Sequence, residues 1–119
     1  MKTVADIAVA VVALLHILFL VLEMFLWTKP AGRRVFGLSK ELADATASLA
    51  ANQGLYNGFL AAGLLWGLYL GDGGFAVKLF FLGCVIVAGI FGAITAKRSI
   101  LFVQGLPGAI AALLVYFSR

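Results

Sequence analysis

Glu23 and His16 are the two side chains in this 119-residue chain best suited to proton chemistry, and both lie inside an apolar run. They are seven residues apart, which gives nearly the same angle on a helix and about 10 Å of rise. Trp27 follows one turn later on the same projected face. Such a face should turn inward, because an ionisable side chain exposed to lipid is costly. A second polar group, Asn52, Gln53, Tyr56 and Asn57, opens another apolar run, and Gln104 lies near the start of the last one. Glu23 is the candidate proton acceptor or anion. Asn52, Gln53, Asn57 and Gln104 are the candidate orienting groups, with Tyr56 and Trp27 as the wall. Were the protein an enzyme, Glu23 and His16 would be its acid/base candidates, although no electrophile or cofactor motif accompanies them.

The elements that must hold these residues follow from composition. Apolar residues make up 64% of the chain and charged ones only 12%, about half the charge of an ordinary soluble domain. The expected class is all-α and integral to a membrane. Four apolar runs, at 4–27, 49–70, 75–96 and 100–117, are each expected to be long enough to cross a hydrocarbon core of about 30 Å. None alternates as a barrel strand would. The reading is one domain, an up-down four-transmembrane-helix bundle over 1–119, with a connecting loop at 29–44 and tight turns at 71–74 and 97–99. Within the loop, Ser39 followed by Glu41 and Asp44 could cap a short helix. Pro107 interrupts the last run and leaves the Val103 carbonyl without its helical partner.

Small residues recur four apart at Gly54 and Gly58, at Gly63, Gly67 and Gly71, and at Ala88, Gly92 and Ala96. They allow close backbone approach. The second, third and fourth runs are therefore expected to form the packed core, with the bulkier first run laid against it.

Charge sets the expected orientation. The net charge is +4. Lys29, Arg33, Arg34, Lys40, Lys97 and Arg98 fall on one side, against Lys2, Lys78 and Arg119 on the other. The positive-inside rule then places loops 28–48 and 97–99 in the cytoplasm and both termini outside. The basic residues are not interleaved with aromatics, so nucleic acid is not an expected partner. Membrane lipids are. One His and one Cys on different runs do not make a metal site, and no cofactor is expected. Cys84 sits among small apolar residues and suits packing.

Several stretches carry a family resemblance: 22–27 (Leu-Glu-Met-Phe-Leu-Trp), 34–38 (Arg-Val-Phe-Gly-Leu), 51–61 around Asn52, Gln53, Tyr56 and Asn57, 81–89, and 102–107 (Phe-Val-Gln-Gly-Leu-Pro). The chain resembles the short bacterial inner-membrane proteins described as domain of unknown function 1304. His16 occupies the place of that family's first-helix histidine, while Gly105 stands where alanine is usual. The resemblance implies four membrane helices in the inner membrane and no established activity. On architecture alone the chain is also similar to small multidrug exporters, which work as dimers. Three functions stay open at this point. They are a small-ligand or lipid-associated pocket in one leaflet centred on Glu23, a small proton-coupled transporter acting as a homodimer, and a structural protein whose polar network only packs.

Overall fold

Long apolar runs without alternation satisfy their backbone groups internally, and the chain is helical throughout with no strand. The computed structural model describes all residues, Met1–Arg119. Five helices follow one another: α1 (Lys2–Met24), α2 (Pro30–Phe36), α3 (Lys40–Tyr69), α4 (Phe75–Thr95) and α5 (Leu106–Phe117). A 3-10 turn, Gly71–Gly74, joins α3 to α4, and a π-helical segment, Leu101–Gly105, runs into α5.

This corrects the expected four-transmembrane-helix bundle. There are five helices, and two segments, Lys2–Met24 and Gly71–Thr95, are long and apolar enough to cross a membrane. The physical reasons differ for the other two runs. α3 has length in excess at 30 residues, but Lys40, Glu41, Asp44, Asn52, Gln53 and Asn57 dilute its apolar character. The last run, Leu101–Phe117, is apolar but too short; a helix of that length rises about 25 Å against a core of about 30 Å. Pro107 shapes it further. Upstream of the proline the chain adopts the wider π pattern, with Leu106 N–H donating to the Leu101 carbonyl.

The expected loop at 29–44 is mostly helix. Pro30 opens α2 at a position where no N–H is needed, and Gly37 closes it in the left-handed region at φ 66°. Ser39 then caps a helix, as its sequence context suggests, but the helix is long, since α3 continues to Tyr69. The Ser39 hydroxyl accepts from Leu42 N–H at 3.1 Å, and Lys40 pairs with Asp44 one turn on, at 2.9 Å. Ser39→Ala should cost about 1 kcal/mol and lower the thermal midpoint in detergent by about 4 °C. An unchanged midpoint would show that the cap contributes nothing.

The chain divides into two units, Met1–Leu14 with Leu60–Arg119, and Leu15–Phe59. In the first, Ala5, Val9, Val12 and Ala13 of α1 meet Leu64 of α3, Leu82 and Val85 of α4, and Ala111 and Val115 of α5. Their spacing on α1 is that of one helical stripe. The first helix is thus central to this core, contrary to the expectation that it only lies against the others. Glycines bring the remaining helices close: Gly63 lies under the Phe81 ring, Gly108 against Val85, and Gly89 against the backbone of Gly105. In the second unit, Gly54 and Gly58 of α3 lie against Leu20, Glu23 and Met24 of α1. That approach positions the polar groups described next.

Candidate functional site

Glu23 occupies the last turn of α1. Gly54 meets its Cβ, and Asn57, three residues further along α3, shares that helical face. The bare glycine lets α3 come close enough for the longer amide to reach. Asn57 Nδ2 donates to Glu23 Oε1 at 2.5 Å.

Trp27 is not on the α1 face with His16 and Glu23. α1 ends at Met24, where Phe25 N–H and Leu26 N–H both turn back to the Val21 carbonyl, and the indole lies past that end. It is held by other groups. Trp27 Nε1 donates to Thr46 Oγ1 at 3.0 Å, and Thr46 Oγ1 donates in turn to the Leu42 carbonyl at 2.7 Å. The indole also packs on Phe36 of α2, with ring centroids 4.8 Å apart.

Between these groups is a cavity of about 280 Å³. Glu23, Trp27, Thr46 and Gln53 supply its polar groups, and Leu38, Leu42, Leu49 and Ala50 its apolar wall. Of the residues singled out from sequence, Glu23, Trp27 and Gln53 line it and Asn57 fixes Glu23. Asn52 and Tyr56 do not line it. Both are exposed on α3, and the Tyr56 ring lies 6.1 Å from that of Phe59. Gln104 belongs to the first unit, half-buried in the π-helical segment. His16 is 1% exposed, its ring edge-on to Phe19 at 5.2 Å; it is buried in packing and is absent from the cavity wall.

Sequence reasoning missed Thr46 and the leucine wall, because they fall in or beside the stretch read as a loop. A signal was present. Leu42, Thr46, Leu49, Ala50 and Gln53 keep the spacing of one helical face once Ser39 is taken as the cap of a long helix. Chemically the site offers a half-buried carboxylate beside an apolar cavity. No nucleophile stands next to it, and no group of three or more His, Cys, Asp or Glu gathers that could hold a metal.

The family model described as "Protein of unknown function (DUF1304)" matches residues 10–116. An uncharacterized protein, YpaA, of Lactococcus lactis subsp. lactis (strain IL1403) is 28% identical over 96 residues, which is 79% of this chain and 81% of that one. No solved structure matches the chain.

Proposed function

The chain belongs to the DUF1304 family, and from that premise we propose that it is a membrane-associated protein whose second unit binds a small amphiphile or lipid fragment at Glu23. The observation that carries this reading is the Glu23 carboxylate, held by Asn57 through one oxygen, among the residues that line a largely apolar cavity with Leu38, Leu42 and Leu49. A ligand with one donor group, an amine or a hydroxyl, would pair with the carboxylate. Its apolar body would lie along Leu38, Leu42 and Leu49. Sites that bind small molecules commonly pair an apolar lining with a few placed polar groups in this way.

Membrane association is supported by what the first unit leaves uncovered. Ile7 (59%) and Leu14 (62%) of α1, and Phe80 (65%), Val87 (67%) and Ile94 (79%) of α4, are largely exposed. An apolar surface of that extent is not expected to face water. Burial is low along both candidate spans, at 28% and 22%, unlike the core helices of a water-soluble protein.

Native mass spectrometry of protein released from lipid nanodiscs tests the ligand reading. The expected result is a discrete retained mass, at least tenfold depleted in Glu23→Gln, with circular dichroism and thermal midpoint unchanged. A site that only packs predicts the reverse, an altered midpoint with no adduct in either protein. An adduct equally abundant in both proteins would also overturn the proposal.

A further inference from the structure

A second cleft, of about 210 Å³, lies in the first unit, where the first turns of α1, the Gly71–Gly74 turn, the start of α4 and the end of α5 converge. It carries charges of both signs. Lys2 Nζ is 2.5 Å from Asp72 Oδ1, Lys78 Nζ is 3.4 Å from Asp6 Oδ1, and the Arg119 guanidinium sits 4.4 Å from the centroid of the Phe75 ring.

Lys78 is the residue that packing does not explain. It is 9% exposed. An ammonium has three donors, yet this one makes a single contact near the outer limit of hydrogen bonding, to a carboxylate that is itself half exposed. The remaining donors are available to a ligand in the cleft that Lys78 lines. The fold makes room for the lysine: a Cβ at Gly67 would stand 2.5 Å from Lys78 Cγ, so α3 is bare where the lysine stem lies.

The charge pattern narrows the ligand. A simple anion would meet Asp6 and Asp72, and a simple cation would meet Lys2, Lys78 and Arg119. A molecule carrying both signs satisfies both sets. We propose that this cleft binds a phosphate–ammonium zwitterion of the phosphoethanolamine class, with its phosphate on Lys78 and Arg119 and its ammonium on Asp6 and Asp72. The cleft has the volume of about seven liquid waters at about 30 Å³ each, enough for such a group. It also lies where both candidate membrane spans, Lys2–Met24 and Gly71–Thr95, begin. With the membrane association proposed above, and those two segments crossing the bilayer, that is headgroup depth. The same chemistry is also available from a soluble phosphoethanolamine, so the source is left to experiment.

Nanodiscs containing equal phosphatidylethanolamine, phosphatidylcholine and phosphatidylglycerol provide the test, with native mass spectrometry of the released protein. Phosphatidylethanolamine should be retained at least fivefold over the other two. Lys78→Met should lose that retention, and Asp6→Asn, with circular dichroism confirming that the variant is folded, should lose the preference. Glu23→Gln, in the other unit, should leave it intact, which separates this proposal from the one on Glu23. Free phosphoethanolamine titrated into detergent-solubilised protein, followed by ligand-observed NMR, divides the sources. Saturable binding lost in Lys78→Met assigns the soluble zwitterion, and lipid retention without it assigns the headgroup. Phosphatidylglycerol retained as well as phosphatidylethanolamine would overturn the proposal in favour of a plain anion site. An unaltered preference in Asp6→Asn, or neither lipid nor free zwitterion bound, would overturn it outright.

Discussion

Gly89→Ala should destabilise the first unit by about 2 kcal/mol, within the range typical of overpacking, while Gly83→Ala on the same helix should be neutral or stabilising by up to about 1 kcal/mol. Both changes add one methyl group to α4, and both gain the helical preference of alanine over glycine. They differ in what the methyl meets. At Gly89 it would stand 2.5 Å from Gly105 N and 2.6 Å from Gly105 Cα, and backbone atoms cannot rotate aside as the end of a side chain can. At Gly83 nothing lies within 4 Å. The contact also bears on the π-helical segment. Pro107 has no N–H for the Val103 carbonyl, and the chain absorbs the defect in the wide turn Leu101–Gly105, whose last residue rests on Gly89. Forcing the two backbones apart removes the surface against which that turn is laid. Thermal unfolding in detergent should separate the variants by 8 °C or more, at about 4 °C per kcal/mol. Coincident midpoints would show that the α4 contact with the π-helical segment is loose.

Hydropathy makes helix legible throughout this chain, because lipid-like composition and the lack of alternation leave few other options. It does not make the number of spans legible. Lys40, Glu41 and Asp44 look like loop residues, yet Ser39 starts a helix there and Lys40 and Asp44 pair along it, so α3 begins well before its apolar run. The stretch at 30–36 was hidden for the opposite reason, since seven residues are too few to show a period. Pro107 announced a defect but not its form. The site follows the same division. Glu23 and Asn57 could be brought to the same level from sequence, because they lie near the facing ends of the first two apolar runs. Gln104 could not, since its place depends on the π-helical segment, and Trp27, expected as wall and found in the lining, comes from beyond the end of α1 and not from a shared helix face, because that end is set by backbone hydrogen bonds to Val21 that no residue type signals. Small-residue spacing located contacts correctly at Gly54, Gly58, Gly63, Gly67 and Gly92. It misled about α1, whose core stripe is built from Val9 and Val12 as well as alanines.

Gly32→Ala should abolish ligand retention at Glu23 without touching Glu23 or Asn57. After α1 ends, the chain turns through Leu26, whose carbonyl accepts from Lys29 N–H at 3.0 Å. Gly32 of α2 is buried against that same carbonyl, and a Cβ there would fall inside the Leu26 carbonyl group. No side chain can yield, so either α2 lifts or the turn moves. Both carry the wall of the cavity: the turn holds Trp27, and α2 holds the Phe36 ring on which Trp27 packs. Displacing either strains the indole hydrogen bond to Thr46. The expected destabilisation is about 2–3 kcal/mol, the upper part of the overpacking range. Trp27 emission, read in a Trp66→Phe background, should shift to longer wavelength as the indole loses its cover. The two readouts must move together. A large fall in stability with unchanged Trp27 emission would mean that α2 supports the fold but not the site. Wild-type stability and emission would mean that α2 is seated elsewhere. In the expected case, a short helix that contributes only Phe36 to the aromatic packing and nothing to the carboxylate pair decides whether the cavity beside Glu23 exists.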